Sequence, residues 1–471
     1  MAESTRMVLG LGIGILVMII LVAKTKVHSF IAMLIAALIT GIIGGMPILT
    51  VKVAGTTTVG VINAISTGFG NTLSSTGIII GLGVMMGAIL EKSGAAEKLA
   101  VSFIKLVGKG NEEWALGATG WVVSIPVFAD SAVVMLCPLC KAISKVTGKS
   151  VVSLGLSLAC GLQLTHVLVP PTPGPLTAAG MLGIDVGQMI AGGAIISIPM
   201  LLVIIPYCKW IGKKIYQVVN EDDEYVRPQK ENGQVKLAST ELLEQFLNRT
   251  DLPGLAISAA PIVLPLILIL TKTVLDLLGA DKSAGYYYFV ALFGSPIVAL
   301  MIGCLIAIYG LVPNRDTKEV LKMMDDGIKD TGIIMLITGV GGSLGYVVRA
   351  SGIGTVLGQM VVNWPVPAVL IPFCIAALMR ICLGSATVAI VTSASLTMPL
   401  MGQLTISPLL MALSCCIGAI SFGYFTDSGF WVWNGMFGVS DLKEQLQCKT
   451  AVSMIMAGVG LLELLVAQYF I

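Results

Sequence analysis

Four ionisable residues stand inside otherwise apolar segments, each beside a break. Asp130 ends the run Ser124-Ile125-Pro126-Val127-Phe128-Ala129-Asp130. His166 opens a run that continues through Val169 to Pro170-Pro171-Thr172-Pro173-Gly174-Pro175. Arg380 precedes Gly384-Ser385-Ala386-Thr387, and Asp427-Ser428 follows Tyr424-Phe425-Thr426. An ionised carboxylate in a bilayer costs several kcal/mol unless it is paired or protonated. Asp130 and Asp427 are therefore candidate proton carriers, or else carboxylates that cap half-helices. An unperturbed imidazole titrates near neutrality, so His166 is a third proton-coupling candidate, with a packed, satisfied histidine as its alternative. Arg380 could balance a substrate carboxylate or pair with Asp427; snorkelling to the interface is its alternative.

Breaks expose backbone amides, and helix N-termini attract anions. Thr172, Ser385, Thr387 and Ser428 add hydroxyls there without adding charge. That chemistry suits a small hydroxylated carboxylate. The candidate substrate contacts are Asp130, His166, Thr172, Arg380, Ser385, Thr387, Tyr424, Asp427 and Ser428, with Tyr424 included as the counterpart of His166. Enzyme chemistry needs a convergent nucleophile–base set or a metal cluster. The chain has two histidines, His28 and His166, neither with an evident partner, so no catalytic, cofactor-binding or metal site is expected. Cys137 and Cys140 form a lone CxxC and read as small apolar packing. Gly339, Gly341, Gly342 and Gly345 lack the following Lys-Ser/Thr of a phosphate loop and read as close helix packing. Asp185 reads as a helix N-cap. Phe430, Trp431 and Trp433 read as packing side chains.

The elements that position these residues follow from composition. The chain is 56% hydrophobic and 11% charged over 471 residues. Soluble domains carry about 25% charged residues. The fold class expected is an all-α polytopic membrane protein. The net charge of +2 gives no reason to expect a nucleic-acid partner. Met7–Ala23, flanked by Arg6, Lys24 and Lys26, reads as a retained span and not a signal peptide.

The chain also repeats. At an offset of 258 residues His166 falls on Tyr424, and Ser93-Gly94 on Ser351-Gly352. At an offset of 255, Gly180-Met181-Leu182-Gly183 meets Gly435-Met436-Phe437-Gly438. Apolar runs cover 7–23, 27–48, 76–90, 151–169 and 186–208, then 254–271, 285–306, 334–348, 409–427 and 450–468. Each is long enough, or nearly so, for a core about 30 Å thick. Lysines set the orientation. Loops 92–109 and 141–149 are basic and their counterparts 350–367 and 399–407 are not; segment 313–330 is basic and its counterpart 55–72 is not. Positive charge favours the cytoplasm, so the two halves are expected to be inverted. Domains follow: a first repeat over 1–212, a charged cytoplasmic linker over 213–252, expected to be solvated, and a second repeat over 253–471. About ten full crossings are expected, with both termini outside. Segments 113–140 and 371–400 must then enter and leave on one face, as re-entrant hairpins. Open backbone at that depth is tolerated where it lines a cavity, so all four breaks are expected to converge on one.

These motifs resemble the gluconate:proton symporter (GntP) family of bacterial inner-membrane permeases. The resemblance spans essentially the whole chain. It rests on GAILEKSGAAEKLA at 87–100, IPVFAD at 125–130, HVLVPPTPGPLTAAG at 166–180, RICLGSATVA at 380–389 and DSGFW at 427–431. It implies the ion-transporter superfamily: paired inverted repeats, re-entrant hairpins, a homodimer and elevator-type movement in the inner membrane. It also implies proton-coupled symport of gluconate or a related sugar acid. D-serine or another small organic anion is an alternative cargo. Sodium is an alternative coupling ion, and cation:proton antiport an alternative reaction. The chain departs from the family at Tyr424 and Thr426, where a histidine and an asparagine are usual. It departs again at Asp130-Ser131-Ala132, where an acid followed by Val-Gly-Phe is common.

Overall fold

The computed structural model describes residues 2–53, 56–108, 110–220, 224–228, 249–353, 356, 366–424 and 427–470. The fold is all-α, with two small antiparallel β-hairpins. The first part runs α1 (Ala2–Lys24), α2 (Ser29–Gly44), β1 (Val51–Val53), β2 (Thr56–Thr58), α3 (Val61–Lys92) and α4 (Ala95–Val107). It continues through α5 (Glu112–Val123), α6 (Ala129–Thr147), α7 (Val151–Leu168), α8 (Pro173–Leu182) and α9 (Val186–Lys214). After β3 (Val218–Val219) and β4 (Tyr225–Val226) come α10 (Leu255–Leu277), α11 (Gly285–Phe293), α12 (Pro296–Ile306) and α13 (Thr317–Ala350). The last part is α14 (Leu370–Leu383), α15 (Ala386–Thr397), α16 (Pro408–Ile420), α17 (Ser428–Met436), α18 (Leu442–Gln445) and α19 (Ala451–Ala467).

Local chemistry sets the helix ends. Asp185 caps α9, its Oδ1 accepting from the Gly187 and Gln188 amides at 3.0 and 3.2 Å. Gly183 ends α8 at φ +68°, a left-handed conformation that favours glycine. The run 285–306, continuous in sequence, is bent by 61° ahead of Pro296, which opens α12. Proline lacks the amide that a continuing helix needs and suits a first helical turn. Run 409–427 likewise ends its helix at Ile420, followed by Phe422 at φ +51°.

Three helix starts recur at close to the sequence offset. The starts of α13, α14 and α16 follow those of α3, α5 and α7 by 256, 258 and 257 residues. Packing crosses between the halves. α3 lies on α13, α6 packs on α17, and α8 packs on α15. A Cβ on Gly68 would sit 2.4 Å from the Gly342 carbonyl oxygen, so α3 and α13 meet backbone to backbone. Gly342 belongs to the glycine run read as helix packing. Cys137 and Cys140 are both buried. Five described helices are individually long and apolar enough to cross a membrane, and two bent pairs raise the number to seven. The sequence predicts ten.

The linker departs from the solvated segment expected. Gln217, Val218 and Val219 are buried. Tyr225 donates its hydroxyl to the Met436 carbonyl, and Arg227 pairs with Glu444 at 2.7 Å. The β3–β4 hairpin pairs its own backbone and buries its valines against α6 and α7, while Tyr225 and Arg227 reach the second half, so this part docks between elements of both halves despite its charges. Residues 229–248 lie outside the described residues.

Candidate functional site

Helices break at four places: between α5 and α6, α7 and α8, α14 and α15, and α16 and α17. A cavity of about 360 Å³ lies where the N-termini of α6, α15 and α17 meet the C-terminal half of α7. α6 contributes Asp130 and Ser131 from its first turn, and α7 contributes Gln163 and His166. α14 contributes Arg380, and α15 contributes Ser385 and Thr387. Asp427 and Gly429 come from the start of α17. Six of the nine predicted contacts are thus gathered: Asp130, His166, Arg380, Ser385, Thr387 and Asp427. Asp130 and Ser385 are exposed, so the cavity is open rather than sealed.

Arg380 anchors the site. It is 1% exposed. Its Nη2 donates to Asp427 Oδ2 at 2.5 Å and its Nη1 to the Gly384 carbonyl. The buried cation therefore ties the α14–α15 break to the α16–α17 break. Its Nε has no partner among the described residues. Asp427 also caps α17, its Oδ1 accepting from the Gly429 amide at 3.2 Å. A Cβ on Gly429 would fall 2.8 Å from Asp130 Oδ1, so the Asp130 carboxylate sits against the first turn of α17. Ser385 caps α15 toward the Val388 amide. No side chain among the described residues caps the N-terminus of α6. These N-termini offer an anion partial positive charge in addition to Arg380. His166 packs edge-on against Phe128, ring centroids 5.7 Å apart, and its Nδ1 is buried with no partner among the described residues.

Three predicted contacts lie elsewhere or beyond description. Thr172 is buried outside the cavity and donates to the Val169 carbonyl at 2.7 Å. None of 169–175 lines the cavity; the proline break adjoins it, with Gly174 against Ile390 of α15. Three of the four breaks converge, because α8 spends its N-terminus on packing. Tyr424 donates its hydroxyl to the Ile381 carbonyl at 2.9 Å and holds the α16–α17 break to α14. Ser428 opens α17, and its side chain lies outside the described residues. Phe430 and Trp433 are buried and Trp431 is exposed; none of the three lines the cavity.

Two polar lining residues went unread in the sequence. Gln163 is a polar residue inside run 151–169. Lys449 sits at the foot of run 450–468, on a π-helical turn (Leu446–Thr450) that leads into α19. π-turns concentrate at functional sites, but sequence periodicity does not reveal them. No group of three or more His, Cys, Asp or Glu residues placed to hold a metal occurs among the described residues.

Long apolar helices, breaks that open onto a polar cavity, and a repeated helix order define a multi-pass membrane transporter. The chain belongs to the GntP permease family, whose model matches residues 6–470. It is a permease and not an enzyme. It is 42% identical over 466 residues to an uncharacterized permease of Haemophilus influenzae, covering 98% of this chain and 92% of that one. It is 31% identical to a gluconate permease of Pseudomonas aeruginosa, covering 95% and 94% of the two chains. To a low-affinity gluconate transporter of Escherichia coli it is 30% identical, covering 93% of each. In fold it matches the YdaH transporter of Alcanivorax borkumensis, with a TM-score of 0.63 and 14% identity over 94% of this chain and 98% of that one. It also matches MtrF of Neisseria gonorrhoeae, with a TM-score of 0.62 and 13% identity over 95% and 96%.

Proposed function

We propose that this permease carries gluconate, or a closely related hydroxylated carboxylate, into the bacterial cell together with a proton. The carrying observation is the charge content of the cavity. Asp130 and Asp427 are balanced by Arg380 and Lys449, all four at the cavity wall. A substrate carboxylate adds one negative charge, and one bound proton cancels it. A loaded site with no net charge crosses a low-dielectric barrier far more readily than a charged one. The hydroxyls of Ser385 and Thr387 and the amides at three helix N-termini suit a polyol chain. Gluconate is also the substrate named for two of the relatives.

Of the acids, Asp130 takes the proton in this reading. Protonating Asp427 would strip Arg380 of its counter-charge, and unpairing a buried ion costs about 3–5 kcal/mol. Movement is of the elevator type, between two inverted repeats whose re-entrant hairpins are α5–α6 and α14–α15. Both termini lie outside and the linker is cytoplasmic. The recurring helix starts and the crossed packing of α6 on α17 and α8 on α15 support the repeat. The protein works in the inner membrane as a homodimer.

Uptake of labelled gluconate into proteoliposomes tests this. An inward proton gradient should drive accumulation, and a protonophore should abolish it. Accumulation indifferent to the gradient would remove the coupling. Failure of excess unlabelled gluconate to compete would remove the substrate.

A further inference from the structure

We infer that Ser131 relays the proton between Asp130 and a second, solvent-connected chamber, by a route separate from the substrate's. The inference rests on the symport reading above and deepens it. A second cavity of about 80 Å³ lies behind the α5–α6 break, between α3 and α13. Its polar wall is Glu91, Lys92 and Asp326. Lys92 Nζ meets Asp326 Oδ2 at 3.2 Å, and these side chains are 41% and 36% exposed, so this end reaches solvent. The volume admits a few waters but not a sugar acid.

Two residues, Phe128 and Ser131, line both this chamber and the main cavity. They form the partition between them. The wall beside it is tight: a Cβ on Gly87 would fall 2.3 Å from the Pro126 carbonyl oxygen. Phe128 leans on His166 and has no exchangeable proton. Ser131 has one, and it follows Asp130 in the first turn of α6. A hydroxyl both donates and accepts, so it can pass a proton without itself becoming charged. The Asp130 carboxylic acid gives its proton to Ser131 Oγ as the Ser131 hydroxyl proton moves to water in the chamber. A carboxylate and a hydronium result, and the reverse sequence loads the site. The titratable and charged groups facing the route are Asp130, His166, Arg380, Asp427 and Lys449 on the cavity side and Glu91, Lys92 and Asp326 on the chamber side. A bound polyol displaces the cavity water, and the partition then becomes the proton's way out.

The test uses the full chain in proteoliposomes. Ser131→Ala should slow proton-driven gluconate accumulation on the order of a hundredfold, the low end for a lost proton-transfer group. Exchange of labelled for unlabelled gluconate at equal pH returns the carrier loaded and should lose far less. Ser131→Thr, which keeps the hydroxyl, should restore accumulation. Wild-type accumulation by Ser131→Ala would overturn the relay. So would an equal loss of exchange in Ser131→Ala together with no rescue by threonine. Gradient-independent uptake by the unaltered protein would instead overturn the symport reading.

Discussion

Asp427→Ala probes the buried ion pair that joins two of the breaks. The substitution leaves the Arg380 guanidinium, 1% exposed, facing the Gly384 carbonyl without its carboxylate. Breaking a buried pair on one side costs about 3–5 kcal/mol. Asp427 is itself 17% exposed, so some water replaces it, and the lower figure of about 3 applies. Loss of the cap on α17 adds about 1 kcal/mol, for a total near 4. The double variant Arg380→Met, Asp427→Ala removes the stranded charge. It keeps the cap loss and forfeits the bond to Gly384, together about 2 kcal/mol. The double variant is therefore expected to be about 2 kcal/mol more stable than the single one. Reversible unfolding in mixed micelles, read by tryptophan fluorescence, measures all members of the cycle. A double variant less stable than Asp427→Ala would refute the argument. It would mean that Arg380 is held by contacts other than its carboxylate.

Two further outcomes follow from the same geometry. Thr172→Val removes a hydroxyl bonded to Val169, so stability should fall by about 1 kcal/mol while gluconate affinity, read by thermal shift, stays unchanged. Gly429→Ala places a methyl group 2.8 Å from Asp130 Oδ1, which should displace the carboxylate and depress proton-driven uptake while leaving the purified protein folded by circular dichroism.

Much of the site was legible because polar residues are costly at membrane depth. Asp130, His166, Arg380 and Asp427 stand out from apolar surroundings on composition alone, and all four line the cavity. Prolines and glycines beside them marked the helix ends. Thr172 was misleading. It looks like Ser385 in sequence, a hydroxyl at a helix N-terminus, yet its partner is its own turn. Lys449 was missed because a lysine at the foot of a span ordinarily snorkels to the interface. Here a π-turn places it on the cavity wall.

The sequence by itself determined that this is a polytopic membrane protein, where four of its helix breaks fall, and that apolar runs recur at a near-constant offset. Those properties are local. They depend on hydropathy over a span, on prolines, and on caps within a turn. Only the tertiary structure decided which breaks meet. Asp130 faces Gly429, and Arg380 reaches Asp427, because helices far apart in the chain pack with interdigitating side chains and backbone-to-backbone glycine contacts. No periodicity along the chain encodes that choice. The same packing set the α7–α8 break aside and placed Ser131 between two chambers.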